Sequence, residues 1–460
     1  MTKKHVAVID IGKTNAKLTL VDPDDLSEIA VVTRQNKVLP GPPWPHFDVD
    51  GNWEFLLSAL RDFHAEHGID AISITTHGAC VALLNEMGNL AAPILDYEYT
   101  GPDDVADEYD MIRPPFSETG SPRLPMGLNA GAQLFWQFHK DAGLKDRVAS
   151  IVTYPQYWGH RLTGVAATDA TSLGCHTDLW NPRDRKLSSL AERLGIIDKI
   201  APTCISNMVL GNILAEVANR TGLSFDAPVH CGIHDSNASL LPHILSHKEP
   251  FSVVSTGTWV IAMSIGGKKL ELNPAYDTLI NVNAFGDPVP SARFMGGREY
   301  DLATGGISVE PSDQDIQAIL RDSVMLLPTI VPQTGPFMGR QTSWIDKEPA
   351  VGSGVRAAAI GFYLALVTAR CLELIGHTGL IIVEGPFAKN RCYHMMLSAV
   401  TGSKVHAMNG ATGTSQGAAI LHLGDLPVDH ETVVVPHIVP LSMKHLLKRY
   451  SERWQKALEA

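Results

Sequence analysis

An apolar strand, a glycine turn carrying hydroxyl residues and a second apolar strand occur twice in this chain, and that repetition limits what the chain can fold into. The first copy spans residues 5–21 around Asp10-Ile11-Gly12-Lys13-Thr14-Asn15; the second spans 251–263 around Ser255-Thr256-Gly257-Thr258. Setting Asp10 against Ser255 also brings Gly12 onto Gly257. Each copy reads as a β-hairpin with a buried face. One matched hairpin is weak support for duplication, because hairpins are common. The strand and helix patterns that follow both copies strengthen it, and they predict an α/β protein of two domains. At 460 residues with 45% apolar side chains, the chain can fill two or three sizeable cores. The pattern breaks around His247-Lys248-Glu249-Pro250, which places the boundary between domains 1–246 and 247–460.

Along the first half, 27–35 offers a third antiparallel strand. Trp53, Leu56, Leu57, Leu60 and Phe63 then fall at helical spacing before Gly68. Buried strands are expected at 71–75 and 81–84, and a surface excursion with some helix at 100–121. Helices are expected at 131–139, with Trp136 in the core, at 155–162, ended by Thr163-Gly164, and at 187–194 and 212–221. The polar run 167–172 is either a loop capped by its own hydroxyls or the lining of a ligand site. In the second half, 351–375 reads as a long helix and 380–383 as a buried strand. The turn 384–390 leads into a helix carrying Met395, Met396 and Val400. Strand 404–407, a glycine-rich turn and a helix to 421 follow, then a charged helix at 444–458.

The formal charge of −12, without long like-charge blocks, argues against a nucleic-acid partner, which needs a basic face. The first strand is too short for a signal segment and no run reads as a membrane span, so no membrane partner and a cytoplasmic location are expected. Six scattered cysteines without a C-x-x-C pair suggest reduced thiols and no zinc site. Of the nineteen histidines, His230/His234 and His243/His247 have H-x-x-x-H spacing, but Gly232 interrupts the first pair and a helix end the second.

The segment 227–238 holds the central residue. A short buried strand and a turn at Gly232 deliver Asp235 to the start of a helix through Leu240 and Leu241. An Asp there is either an N-cap or a base held ionised by the helix dipole and aimed at a hydroxyl. The two turns favour the base. Amides at Gly12, Thr14 and Asn15, and again at Thr256, Gly257 and Thr258, can cradle phosphate oxygens. Asp10, at a strand end beside such a turn, suits a hydrated Mg²⁺, and Lys17 is either a charge partner for phosphate or a solvated strand residue. Neither turn is a Walker loop. Phosphoryl transfer needs a phosphate clamp, a metal and a group that prepares the nucleophile, and these segments offer one candidate for each.

In this order, D-I-G-K-T-N, G-I-H-D-S-N-A, S-T-G-T-W, E-G-P-F-A-K-N and G-T-S-Q-G-A-A-I-L resemble the FGGY carbohydrate kinases over nearly the whole chain. The resemblance implies two actin-like (ribonuclease H-like) domains with a cleft between them, sugar mainly on the first and ATP mainly on the second. It implies Asp235 as catalytic base, whereas the Mg²⁺ expected at Asp10 rests on that residue's own place at a strand end. It also implies ATP contacts at Gly12, Lys13, Thr14, Asn15, Lys17, Thr256, Gly257 and Thr258, with Gly385, Ala388 and Asn390 near the adenosine. His77, Asp96, Glu98 and Asp169, polar groups at strand ends and turns, are expected to join Asp235 in the sugar pocket. Gln133 replaces a lysine frequent in the family, Thr76-His77-Gly78 replaces a Gly-Gln pair, and Asp96-Tyr97-Glu98 stands in place of W-x-D-x-R. The pattern is nearest the fuculose and rhamnulose kinase branch. A nucleotide-driven switch of the actin or Hsp70 type is the alternative, and a homodimer is compatible with either.

Overall fold

Strand β1 (Val6–Ile11) and strand β2 (Asn15–Val21) pair antiparallel with Asp10 opposite Lys17, in a computed structural model that describes residues 5–248, 250–408, 413–424, 434–436 and 441–459. The chain divides into two compact units. Among described residues the first takes 5–246, 280–288 and 413–424, and the second takes the remainder. The division after Ser246 is therefore accompanied by two later segments that belong to the first unit, whereas the sequence suggested one continuous stretch for each.

In the first unit β3 (Glu28–Gln35) extends the hairpin antiparallel, and α1 (Val49–His67) follows. Asp48 caps α1 by accepting from the Gly51 amide, and Trp53, Leu56, Leu57, Leu60 and Phe63 are buried along one side. Each such side chain contributes roughly 1.5–3 kcal/mol. Strand β4 (Ala71–Thr76) is buried throughout and runs parallel to β1. One-turn helix α2 (Ala170–Leu173) precedes strands β5 (Val209–Gly211), β6 (Val229–His230) and β7 (Ile233–His234). The sheet order is β5-β6-β4-β1-β2-β3, with β7 also paired to β4. Helix α3 (Asp235–Ser246) follows β7 directly. The short strand expected before Gly232 is β6, Gly232 makes the expected turn with φ 92°, and a second short strand, β7, follows it before Asp235.

The second unit repeats the hairpin with β8 (Phe251–Thr256) and β9 (Val260–Ile265). Strand β10 (Pro288–Phe294) pairs with β9. Helix α4 (Gly354–Leu374), strand β11 (Leu380–Glu384), helix α5 (Arg391–Thr401) and strand β12 (Val405–Met408) follow, and β8, β11 and β12 run parallel in a sheet edged by Thr278–Val282 and Val434–Pro436. By length and composition α4 could cross a membrane, contrary to the expectation that no run would. Its apolar side chains, including Ile360, Phe362, Leu364 and Leu366, form the core of this unit instead. The glycine-rich turn expected before residue 413 falls on Asn409–Thr412, outside the described residues.

Helix Thr414–Leu423, late in sequence, packs in the first unit. Ala418, Ala419, Ile420 and Leu421 share a core with Val6, Val8, Ile233, Ala238 and Leu241. The Ser73 hydroxyl donates to the Ala418 carbonyl at 2.6 Å. A Cβ on Gly417 would lie 1.8 Å from the Ala238 carbonyl oxygen, so glycine permits the close approach to α3.

Candidate active site

Parallel pairing of β1, β4 and β7 brings three chain segments to one end of the first sheet. The His77 amide continues the pairing by donating to the Ile11 carbonyl at 2.9 Å, and His234 lies opposite Thr76. Asp10, His77 and Asp235 therefore gather where these strands stop, the position at which open α/β sheets take ligands.

The β1–β2 turn is closed by the Gly12 amide donating to the Asn15 carbonyl at 2.8 Å. Asn36 braces it from below, donating its amide to Thr14 and its side chain to the Gly12 carbonyl, each at 2.8 Å. Thr14 and Asn15 face solvent. Lys17 lies 3.2 Å from Asp10, so its ammonium is paired across the hairpin and not simply solvated. Burial raises the Asp10 carboxyl above its ordinary range, Lys17 opposes the shift and the nearby charge of Asp235 adds to it.

Asp235 is the first residue of α3 and about a third exposed. It accepts from the Ser236 amide at 2.6 Å and lies 3.2 Å from His234 Nε2. The same nitrogen lies 3.4 Å from Cys175 Sγ. Burial disfavours both ionised partners, yet their mutual attraction, helped by His176 and Asp235, lowers the thiol to about 5 and raises the imidazole to about 9. Gly78 makes room for the pair, because a Cβ there would lie 2.8 Å from both Sγ and Nε2.

Of the four acceptor-pocket residues expected with Asp235, three come together. His77 is buried against Phe47, Tyr97 and Tyr154 at centroid distances of 5.2, 5.2 and 5.0 Å. Its Nδ1 donates to the Gly78 carbonyl at 2.8 Å, which leaves Nε2 as a buried acceptor with no partner. Burial lowers this imidazole to about 4, so it is neutral at physiological pH. Asp96 and Glu98 flank Tyr97, and both are bridged by Lys13. The charge of Asp235 acts on His77 and on Tyr97 alike. Asp169 is different. It is fully buried and caps α2, accepting from the amides of Thr171 at 2.9 Å and Ser172 at 3.2 Å and from the Thr171 hydroxyl. Its carboxylate serves the local backbone, which is the self-capped loop reading of the run 167–172. Lys13, expected on phosphate, makes its ion pairs to Asp96 and Glu98.

In the second unit a cavity of about 520 Å³ is lined by Gly257, Thr258, Tyr300, Phe387, Lys389 and Asn390, among others. Three of the six expected nucleotide residues of this unit, Gly257, Thr258 and Asn390, are on its wall. The other three support it. The Thr256 hydroxyl donates to the Glu384 carbonyl and accepts from the Phe387 amide at 3.1 Å. Gly385, at φ 79°, passes so close to Thr256 that a Cβ would lie 1.9 Å from its carbonyl oxygen. The Ala388 amide donates to the Gly385 carbonyl at 3.0 Å. Sequence reasoning missed Tyr300, Lys389 and Gly297, which also lines the cavity. The Gly296-Gly297 pair opening a helix was the one available signal.

Residues 5–242 match the N-terminal domain of the FGGY family of carbohydrate kinases, and residues 248–431 match the C-terminal domain of carbohydrate kinase FGGY. A carbohydrate kinase from Novosphingobium aromaticivorans superposes with TM-score 0.90 at 36% identity, over 98% of this chain and 99% of that one. Plasmodium falciparum glycerol kinase with ADP superposes with TM-score 0.78 at 15% identity, over 99% of this chain and 98% of that one, a likeness of fold alone. L-fuculokinase of Escherichia coli (strain K12) is 24% identical over 278 residues, which span 57% of this chain and 57% of that relative. The fold is the two-domain actin-like (ribonuclease H-like) fold of the sugar kinases. With both family domains matched in order along it, the chain belongs to the FGGY carbohydrate kinases.

Proposed function

We propose that this protein transfers the γ-phosphoryl group of ATP to a hydroxyl of a small sugar, a ketose such as L-fuculose or L-rhamnulose or a related polyol. The observation that carries the reading is the state of Asp235. Its carboxylate opens a helix, is partly exposed, and lies among His77, Tyr97 and Asp10, whereas the other candidate carboxylate at a helix start, Asp169, is sealed and fully engaged. Asp235 takes the proton of the acceptor hydroxyl as the hydroxyl oxygen bonds to the γ-phosphorus and the bond to the ADP oxygen breaks.

His77 Nε2, Asp96 and Glu98 supply acceptors for the remaining hydroxyls. Gly257, Thr258 and Asn390 line the cavity of the second unit, which takes the nucleotide. Among the described residues no three His, Cys, Asp or Glu side chains cluster as a metal cage. A Mg²⁺ that keeps most of its water needs only one or two carboxylates, and Asp10 fits it. The ion, when bound, neutralises phosphate charge.

An ADP-release screen across ketoses, aldoses and polyols tests the reading. Release that requires both a sugar and Mg²⁺, and stops with chelator, is expected. ATP turnover indifferent to every sugar would replace it with a nucleotide-driven switch.

A further inference from the structure

We propose that Lys13 is a specificity residue of the acceptor site and not a phosphate ligand, and that it fits the site to a neutral polyhydroxyl acceptor. This rests on the kinase reading above. Lys13 sits in the first glycine turn, where its neighbours Gly12, Thr14 and Asn15 are suited to phosphate. Its ammonium nevertheless pairs with Asp96 and lies 3.2 Å from Glu98 Oε2. It also stands 4.7 Å from the centre of the Tyr97 ring and 5.1 Å from that of Phe47. The Lys13 side chain is only 22% exposed in this setting. An ammonium has three hydrogens. Two carboxylates and two aromatic faces already engage it, so a phosphate oxygen could recruit it only by breaking contacts strengthened by partial burial. Lys17, on the next strand, is committed to Asp10.

The same contacts define what the site prefers. Lys13, Asp96 and Glu98 together carry a net charge of minus one. The rings under the ammonium, Phe47 and Tyr97, are also the rings against His77, whose buried Nε2 has no partner. Two carboxylates and a bare imidazole nitrogen accept hydrogen bonds, and they match the hydroxyl donors of a neutral sugar. An aldonate would bring a further negative charge next to Asp96, Glu98 and Asp235, and like charge in a shared site discriminates strongly. Lys13 thus holds the two acceptor carboxylates in one geometry while leaving the site too negative for an acid.

The test compares wild type with Lys13→Met, which keeps an unbranched stem without the charge, and Lys13→Arg, which can bridge two carboxylates. Melting temperatures establish that each variant is folded. ATP affinity is measured by calorimetry, separately from turnover, and L-rhamnulose, L-fuculose and D-gluconate are the acceptor probes by both binding and ADP release. Lys13→Met is expected to raise the constants for the neutral ketoses by about ten- to hundredfold and leave ATP affinity within about twofold. Lys13→Arg is expected to recover most of the loss, and wild type to reject D-gluconate. A fall in ATP affinity with unchanged ketose constants would overturn the proposal, as would D-gluconate serving as well as the ketoses. Failure of all three probes to turn over would count against the kinase reading, and binding alone would then decide the role of Lys13.

Discussion

At the scale of single residues, two aspartates at helix starts show how one side chain can take two roles. Asp169 is sealed and satisfied by amides, whereas Asp235 is open and accepts from the Ser236 amide beside it. Asp235→Asn should therefore lower turnover by about 10²–10⁴-fold while substrate affinities and melting temperature hold. Asp169→Asn should do the reverse. It places an amide donor among backbone donors in a buried site, costing about 1–3 kcal/mol of stability, with little change in the acceptor constant. Measuring melting temperature and turnover on both variants checks the pair of expectations. A further expectation concerns Cys175, whose thiol is held near 5 by His176 and His234 against burial. A group depressed in this way is deprotonated above that value and protonated as pH falls through it. Thiolate absorbance at neutral pH should thus be present in wild type, absent in Cys175→Ser, and lost on acidification through about pH 5. If the two proteins share one absorbance profile, the thiolate is not there.

At the scale of elements, legibility follows the range of the interactions involved. Both hairpins and α1 could be read because alternation, helical spacing and capping signals are local. The pairing of Lys13 could not be read because its turn is local but its partner Asp96 is 83 residues away. Asp169 was misjudged because burial and capping by the following amides leave no mark that separates a structural Asp from a ligand-facing one. Cys175 and Gly78 went unnoticed because their significance appears only when His234 lies against them. The α1 cap gives a stability expectation. Burial opposes ionisation of Asp48, but its bonds to Arg34 and the Gly51 amide prevail and hold its carboxyl below the usual range. Its contribution is present above the ordinary carboxylate pKa and is lost as pH falls through the lowered one. Asp48→Ala should cost about 1 kcal/mol at neutral pH, with the gap to wild type closing in acid. Denaturant titrations at two pH values would show whether it does.

At the scale of the whole molecule, the unit that carries Asp235 is not completed by the N-terminal half of the sequence. Val6, Val8, Ile233, Ala238 and Leu241 find their apolar cover on helix Thr414–Leu423. A fragment ending at Ser246 should expose that face, bind a hydrophobic dye and melt well below the full chain, and a peptide of residues 413–424 added in trans should reverse part of both effects. A fragment as stable as the parent would show that the helix is dispensable. For synthesis on the ribosome the arrangement sets an order of events. At roughly 5–20 residues per second, the first unit waits on the order of ten seconds or more after Ser246 is made before its last helix emerges. The residues of the second unit's hairpin and of α4 are translated during that interval, so most of the second unit's core is made before the first unit can close, and the second unit in turn waits for helix Leu441–Glu459, whose Leu447, Tyr450 and Trp454 belong to its core.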